Sequence, residues 1–394
     1  MKSKVLITKD ALAREYLPVY GNQYWQGKTP NMDELAEKGT VFTKFYTAAP
    51  SSAMSYLSMF TEKYPYELEM ETYRPVNSQY DGVTLFDKAY DMGYDCHIIW
   101  DEAWIIMAKR FSECYGKHTV FHDMKGLQQA VGSHYKHEGI LQRNEKLIET
   151  TLERIDAQIK EITKSDKPVF LWIHLPHVLN GEIGYGSDID SFDKCIGIIR
   201  NYFDDNEIFI SADHGNMNGR KGKLCYGFDV YNPAVLIPLI TPRKQNCRKY
   251  EKNVSNVDMF KILFSDSFPA EREYIYSDSA YYVQQHRKLA IIKGKYKYIY
   301  NNKNKTEELY DMEYDIGEEF SLMSDTFYDV DRKMTSIARE EYFYPYWDVL
   351  SKIRDDFRNE RIRIWRKPSF RQKTLNGCKD FLRPIYTTIK KIFS

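Results

Sequence analysis

Two short apolar runs, far apart in the chain, each lead into side chains that can bind a metal, and this pattern constrains the fold most strongly. The first run, residues 4–8, is followed by Asp10. The second, residues 207–211, is followed by Asp213 and His214. Continuous apolar runs of this length predict buried strands of an α/β protein. Ligands of open α/β sheets collect beyond the carboxyl ends of the strands, so we expect these three side chains to converge there.

A serine-rich turn lies between the two runs. Residues 47–61 place several hydroxyl groups, including that of Ser52, where a strand is expected to pass into a helix. A hydroxyl is a poor nucleophile at neutral pH unless a base or a metal removes its proton, and Asp and His suit a divalent cation. The combination suggests a metal-activated serine, although serine-rich turns are also common helix caps and Asp-His-Gly is also a common turn sequence.

Six further segments follow one another in a definite order. They are residues 29–42, 45–51, 172–177, 185–197, 211–215 and 309–315. In this order they resemble the sulfatase-like enzymes of the alkaline phosphatase superfamily. The first two are similar to that family's approach to the nucleophile, and the last is similar to its closing signature. The resemblance extends from the N-terminus to residue 325, and an ordered set of motifs is more specific than any single one.

This resemblance implies both a fold and a metal site. The implied fold is α/β, with an alkaline phosphatase-like central mixed sheet flanked by helices. The resemblance also implies that Asp10, Asp213 and His214 bind a divalent metal ion and that Ser52 is the nucleophile. The mixed set of Asp and His ligands favours Zn²⁺ or Mn²⁺, with Mg²⁺ and Ca²⁺ as alternatives.

Two further residues are assigned to the substrate by the same resemblance. His177 matches the substrate-side histidine of the family, which orients or protonates a leaving group. Lys223 lies at the place of the family's substrate-binding lysine, with Lys221 as an alternative. A solvated basic loop explains the two lysines almost as well.

The departures from the family pattern bear on the reaction. Formylglycine sulfatases carry Pro or Ala two positions after the modified residue and Arg four positions after it, whereas this chain has Met54 and Tyr56 there. The lysine and histidine that hold the sulfate in those enzymes are replaced by Asp101 and Ala103. An unmodified serine is typical of the phosphoryl branches, which include phosphodiesterases and the phosphoethanolamine and phosphoglycerol transferases. In these enzymes the hydroxyl forms a covalent phospho-enzyme.

The rest of the chain is predicted to form one main domain and an extension. Residues 144–164 carry apolar side chains at helical spacing, which predicts an amphipathic helix packed on the sheet. Three later runs predict strands of a small antiparallel sheet, namely residues 274–276, 288–292 and 296–300. We expect a catalytic domain over residues 1–325, with a small subdomain over about 270–325, and a helical, basic extension over residues 326–394.

Composition and cysteine usage favour a cytoplasmic protein with a large core. The chain has 394 residues, of which 43% are hydrophobic, and no long uncharged apolar run, so it is not expected to span a membrane. Its start passes directly into the first expected strand, which leaves no room for a signal peptide. The six cysteines show neither pairing nor zinc-type spacing, as is typical of reduced thiols in a cytoplasm.

The end of the chain is basic, although the formal charge balances overall. From Arg361 onward ten lysines and arginines accompany a single acidic residue, Asp380, and the apolar residues of 381–393 fall near one helical face. Such a segment could make a peripheral contact with the inner face of an anionic membrane through residues 361–394, or pack as a helix on the domain or a partner. No nucleic-acid-binding motif accompanies the charge, so no nucleic acid is expected as a partner.

These features favour a metal-dependent phosphotransferase or phosphodiesterase with a serine nucleophile and a covalent phospho-enzyme. Family analogy and the basic tail suggest a phosphorylated small-molecule or lipid-linked glycan as substrate, in the modification of a cell-envelope glycan or its precursor. One alternative is a sulfuric or phosphoric ester hydrolase. The other is a non-catalytic member that binds a phosphorylated glycan, against which the intact set of Asp10, Ser52, Asp213 and His214 counts.

Overall fold

The computed structural model describes residues 1–24, 26–68, 82–100, 118–124, 140–175, 186–279, 286–323 and 344–365. The chain divides into two compact units, Met1–Asp331 and Arg332–Ser394.

An eight-stranded mixed sheet forms the centre of the first unit. Its strands are β1 (Lys4–Lys9), β2 (Thr40–Phe42), β4 (Asp95–Trp100), β5 (Thr119–Asp123), β6 (Val169–Leu175), β7 (Ile208–Ala212), β8 (Leu239–Thr241) and β9 (Lys249–Tyr250). They lie in the order β5-β4-β6-β1-β7-β8-β2-β9. The first five strands of this order are parallel, and β8 runs antiparallel to both β7 and β2.

The first unit also contains α-helices. They are α1 (Pro30–Lys38), α2 (Ser52–Thr61), α3 (Leu85–Asp91), α4 (Ile140–Ile162), α5 (Gly186–Ile199), α6 (Asn232–Val235) and α7 (Met259–Phe264). The consecutive residues Val5, Leu6 and Ile7 of β1 are all fully buried. Since successive side chains of a strand point to opposite faces, β1 is covered on both faces, which explains why its sequence is an unbroken apolar run.

The long amphipathic helix predicted from the spacing of apolar residues is confirmed. It runs over Ile140–Ile162, so it begins four residues before the predicted start and ends two before the predicted end. Ile155, Ile159 and Ile162 from the predicted stripe are buried in the core. The spacing of these residues places them on one helical face, so burial of that face docks the helix.

Two segments of the family resemblance meet at the start of α1. The carboxylate of Asp193, on α5, accepts a hydrogen bond from the backbone N–H of Met32 at 2.8 Å and from the Asn31 side chain at 3.0 Å. A side chain at Gly197 would approach the Asn31 amide to 3.0 Å. Asp193 therefore satisfies the free N–H groups of α1, and Gly197 leaves the room that this contact needs.

Two small sheets complete the first unit. The C-terminal sheet is an antiparallel meander of β11 (Ile275–Asp278), β12 (Lys288–Lys293), β13 (Tyr296–Asn301) and β14 (Thr306–Asp311). The three predicted strands are confirmed, and β14, which contains the first part of the closing signature, is an addition. The second sheet pairs β3 (Phe45–Tyr46) with β10 (Val254–Ser255) in parallel. Together with the central sheet, the meander confirms the expected α/β architecture.

The second unit is described over one helix, α8 (Tyr344–Ile364). No helix in the described ranges is long and apolar enough to cross a membrane. The boundary expected after residue 325 stays a prediction, because residues 324–343 lie outside the described part of the chain. The basic segment beyond residue 365 also lies outside it.

The four cysteines that the structure describes, Cys96, Cys195, Cys225 and Cys247, form no disulfide. Cys114 and Cys378 lie outside the described residues.

Candidate active site

The register of two neighbouring strands brings the predicted metal ligands together. Thr8 of β1 pairs with Ser211 of β7, so both strands end at the same level of the sheet. Asp10 follows β1, and Asp213 and His214 follow β7. One ligand atom from each of the three residues lies within 4.8 Å of the other two. The expected convergence at the carboxyl edge of the sheet is therefore what the structure shows.

The imidazole of His214 is fixed in the tautomer that a metal ligand needs. Its Nδ1 lies 2.8 Å from the carbonyl oxygen of Gly215, which can only accept a hydrogen bond, so Nδ1 carries the proton. In the neutral ring Nε2 then carries the lone pair, and it lies 3.5 Å from Asp10 Oδ1 and 3.5 Å from Asp213 Oδ2. A second hydrogen bond that orients a ligand histidine in this way is a usual feature of metal sites.

The carboxylate of Asp213 is held at one oxygen and left open at the other. Oδ1 accepts hydrogen bonds from the backbone N–H groups of Ala11, at 3.0 Å, and His214, at 2.7 Å. Oδ2 is buried, and no described donor hydrogen-bonds to it. Burying such an oxygen is costly unless a positive partner is present. Two carboxylates and a neutral imidazole therefore fit a divalent cation, in agreement with the donor types that Zn²⁺ and Mn²⁺ accept.

Strained backbone contributes to this arrangement. Ala11 has a φ of 58°, a left-handed conformation that costs a non-glycine residue about 1 kcal/mol. The conformation turns the Ala11 N–H toward Asp213 Oδ1. Strain of this kind concentrates at functional sites because the surrounding structure maintains it.

Ser52 is the first residue of α2, and its hydroxyl faces the same ligands. Ser52 Oγ lies 3.1 Å from Nε2 of His214, so the hydroxyl donates to that unprotonated nitrogen. Because the first N–H groups of a helix lack partners within it, the start of α2 favours negative charge at this position. An alkoxide at Ser52 would thus be stabilised by the helix as well as by a cation.

Buried, uncharged side chains lie beside the metal site. The hydroxyl of Tyr56 lies 2.5 Å from Nδ1 of His174, and Thr8 Oγ1 lies 3.1 Å from the same nitrogen. Burial lowers the pKa of His174 to about 3 and raises the pKa of Tyr56 well above its usual range. Both side chains are therefore uncharged near neutral pH, and Tyr56 offers no substitute for the arginine of formylglycine enzymes.

The structure separates the two lysine candidates for substrate binding. Lys221 donates to the backbone carbonyl of Glu318 and lies over the rings of Tyr231 and of Tyr310, which is part of β14, so it is directed at the C-terminal meander. Lys223 forms an ion pair with Asp229 at 3.6 Å and keeps a substantially exposed side chain. Lys223 is thus the more available of the two.

The placement of the remaining predicted substrate residue is not described. His177 lies outside the described residues, as do Asp101 and Ala103.

Residues that sequence reasoning missed lie close around the ligands. The ring of Tyr226 packs on the His214 imidazole with 4.5 Å between centroids. Ser55 donates a hydrogen bond to the backbone carbonyl of Asp213 at 2.6 Å, and Asn256 donates to Ser55 at 2.9 Å. Ser55 could have been found, because it lies one helical turn after Ser52. Nothing in the local sequence around Asn256 indicates that it reaches this site.

Sequence and structure comparisons agree with the fold. The Sulfatase family model matches residues 3–178, and no curated protein is detectably similar in sequence. A protein assigned as a sulfatase from Bacteroides thetaiotaomicron is similar in structure, with a TM-score of 0.63 and 15% identity over 91% of this chain and 94% of that one.

Two further solved structures are phosphonate monoester hydrolases. The protein from Agrobacterium radiobacter is 14% identical, with a TM-score of 0.60 over 90% of this chain and 96% of its own. The protein from Silicibacter pomeroyi is 10% identical, with a TM-score of 0.61 over 93% of this chain and 96% of its own. At these identities the similarity shows a common fold.

Proposed function

We propose that this chain is a member of the alkaline phosphatase-like sulfatase superfamily and a metal-dependent phosphotransferase or phosphodiesterase with Ser52 as nucleophile; the match of the Sulfatase family model to residues 3–178 and the fold similarity to sulfatases and phosphonate monoester hydrolases support it. One observation carries the proposal: the unmodified hydroxyl of Ser52 lies 3.1 Å from Nε2 of His214, within the cluster that also contains Asp10 and Asp213. A nucleophile and a cation site in contact are what displacement at phosphorus requires.

Asp10, Asp213 and His214 would hold the cation. When bound, it would favour the deprotonated serine and offset charge on the phosphoryl oxygens. The Ser52 oxygen attacks phosphorus; the P–O bond to Ser52 forms as the P–O bond to the leaving alcohol breaks, and that alcohol takes up a proton. Water or an acceptor hydroxyl then attacks the phosphoserine, which restores the free hydroxyl.

The residues after Ser52 support phosphoryl rather than sulfuryl chemistry. Met54 and Tyr56 stand where formylglycine enzymes carry Pro or Ala and Arg, so conversion of Ser52 is not expected. Tyr56 is instead buried against His174 in an uncharged pair. An unmodified serine can form a stable phosphoester, whereas formylglycine sulfatases use the aldehyde of the modified residue.

A hydrolase is the second candidate for the same site. It is favoured by the fold similarity to the two phosphonate monoester hydrolases. In that case water resolves the phosphoserine, whereas a transferase passes the group to an acceptor hydroxyl.

For the transferase we propose a phosphorylated or lipid-linked glycan as substrate and a peripheral membrane contact through residues 361–394, by family analogy and the basic sequence of that segment.

Intact-mass analysis tests the chemistry directly. The full chain is loaded with Mn²⁺ and incubated with bis(p-nitrophenyl) phosphate; we expect release of one p-nitrophenol and a phosphoryl adduct that peptide mapping places on Ser52. Ser52→Ala should form no adduct, whereas the control Ser51→Ala, which removes a buried hydroxyl next to it, should still form one. Faster turnover with added glycerol or a sugar would identify a transferase. Formylglycine at position 52 in the purified protein would instead reinstate a sulfatase.

A further inference from the structure

Three buried polar side chains connect the helix of Ser52 to the strand end that carries Asp213. The Ser55 hydroxyl donates to the backbone carbonyl of Asp213 at 2.6 Å. The same oxygen lies 2.9 Å from the Asn256 amide and 2.8 Å from the Thr47 hydroxyl, both of which donate to it. Ser55, Asn256 and Thr47 are at most 1% exposed. The Ser55 hydroxyl thus has its one donor and both acceptor positions in use.

Asn256 also fixes the loop that leads to the nucleophile. Its side-chain oxygen accepts a hydrogen bond from the backbone N–H of Ala48 at 2.9 Å, and its amide lies 3.1 Å from the carbonyl of Ser55. Asn256 follows β10, and β10 pairs in parallel with β3, which leads into this loop. The two-stranded sheet therefore delivers Asn256 to a point between the loop before α2 and the first turn of α2.

We propose that Ser55 and Asn256 are positioning residues that set the distance between the Ser52 oxygen and the metal ligands. This inference rests on the proposed function. Ser55 lies one turn after Ser52 on the same face of α2, and its bond to the Asp213 carbonyl ties that turn to the ligand strand. Because reacting groups must be held closely, a displacement of about 1 Å costs on the order of a hundredfold in rate.

The test compares three alanine variants in the full chain with Mn²⁺ and the same aryl phosphodiester. Ser55→Ala and Asn256→Ala should lower kcat by roughly ten- to a hundredfold while KM and the Mn²⁺ dissociation constant change by less than about threefold. Ser58→Ala is the matched control, because Ser58 is equally buried on the same helix and its hydroxyl forms no hydrogen bond with any residue that the structure describes. Its kcat should stay at the wild-type value.

A milder variant guards against loss of folding. Thr47→Val keeps the side-chain volume but removes the hydroxyl that donates to Ser55, so a smaller loss of kcat is expected. The double variant Ser55→Ala with Asn256→Ala should lose little more kcat than Ser55→Ala alone, because both act through one bridge. Wild-type kcat in a folded Ser55→Ala or Thr47→Val protein, with only a lower melting temperature, would reduce the network to a structural role and overturn the proposal.

A second readout does not depend on turnover. In the wild type, Ser52→Ala should change the electron paramagnetic resonance spectrum of bound Mn²⁺, because it removes an oxygen beside the ligands. In the Ser55→Ala background, Ser52→Ala should alter the spectrum much less. In the Ser58→Ala background, Ser52→Ala should alter it as much as in the wild type. Equal spectral changes in all three backgrounds would overturn the positioning role. A wild type that binds neither Mn²⁺ nor Zn²⁺ would instead reject the proposed function, and this inference with it.

Discussion

At the scale of single residues, two of the three ligands of the proposed metal site, His214 and Asp213, are oriented by hydrogen bonds at their other polar atom. His214 is held through Nδ1 by the Gly215 carbonyl, and Asp213 through Oδ1 by two backbone N–H groups. Orientation of this kind costs nothing when the cation arrives, because the ligands are already in place. The sequence suggests which residues would bind a cation, and the backbone around His214 and Asp213 decides how these two side chains are oriented.

The Asp213 carboxylate gives the first prediction. Asp213→Asn keeps an oxygen for the Ala11 and His214 N–H groups but removes a negative charge from the ligand cluster. We expect Mn²⁺ affinity to fall at least about tenfold and activity to fall with it. In metal-free protein the same change should raise the melting temperature, since two buried carboxylates no longer lie side by side. Isothermal titration measures the loss of Mn²⁺ affinity, and thermal melts of the metal-free protein measure the rise in melting temperature. Full Mn²⁺ occupancy in Asp213→Asn would contradict the proposed site.

At the scale of elements, close packing of two backbone segments positions the ligand turn. The N–H of Gly215 donates to the Ala234 carbonyl on α6 at 2.8 Å, and a side chain at Gly215 would lie 1.9 Å from the Pro233 carbonyl oxygen. The Asp-His-Gly sequence thus ends in glycine because α6 lies directly against it. Lys297 of the C-terminal meander donates to the side-chain oxygen of Asn232 at the first position of α6, and Glu318, which follows the meander, accepts from the Asn232 backbone N–H.

The contact between Gly215 and α6 gives the second prediction. Gly215→Ala should destabilise the protein by at least about 2 kcal/mol and weaken Mn²⁺ binding, because the turn or α6 must move. Gly219→Ala is the control: it lies in the same loop with open space around it, and its φ of 87° should cost only about 1 kcal/mol without loss of metal. Denaturant unfolding and Mn²⁺ titration distinguish the two variants. Equal metal affinity in both would show that the contact does not position His214.

Two histidines make a contact between β5, at the edge of the central sheet, and its neighbour β4, and this pair gives a third prediction. Nδ1 of His97 lies 3.0 Å from Nε2 of His122. Burial, together with the neighbouring His122, lowers the pKa of His97 to about 4, and burial lowers the pKa of His122 as well. Between pH 6.5 and 4 the unfolded chain therefore binds more protons than the folded chain, so stability falls as pH falls through this window.

Replacing one member of the pair should reduce this acid sensitivity. Between pH 7 and pH 4.5, His97→Asn should lose about 1 kcal/mol less unfolding free energy than the wild type, a figure that allows for solvent screening of half-buried groups. Urea midpoints at the two pH values measure the difference. Parallel curves for the two proteins would show that the pair does not contribute.

At the scale of the whole molecule, the catalytic fold and the C-terminal basic segment belong to separate units. The described helix α8 runs to Ile364, beyond the point where the basic composition begins. Arg363 forms an ion pair with Glu360 within that helix, so at least one of the basic residues has a local partner. A truncation that tests the tail should therefore follow Trp365 and leave α8 intact.

Removal of residues 366–394 gives the fourth prediction. The first unit should keep its melting temperature and its Mn²⁺ affinity, because its described ligands all come from residues before 215. Binding to vesicles with phosphatidylserine should fall, and salt should weaken the binding of the full chain, since the Debye length is about 10 Å at 0.1 M. Equal co-sedimentation of both proteins would remove the membrane proposal, and an insoluble truncation would favour a packed tail.

Local sequence patterns were enough to predict the strands β1 and β7, the helix α4, three of the four strands of the C-terminal meander and the candidate ligands. These follow from local patterns: an unbroken apolar run marks a strand buried on both faces, and 3.6-residue spacing marks a helix with one buried face. The convergence of Asp10 with Asp213 and His214 was also predictable, because parallel neighbours place their carboxyl ends at one sheet edge.

Four features became visible only in the folded chain: the tautomer of His214, the left-handed turn at Ala11, the contact of Gly215 with α6, and the bridge through Ser55 and Asn256. Each of these depends on contacts between segments that lie far apart in the chain. No local pattern encodes such a contact, because it depends on how several elements pack at once. The same holds for Lys223 and Lys221, which are equivalent by spacing and differ only in the partners that the fold gives them.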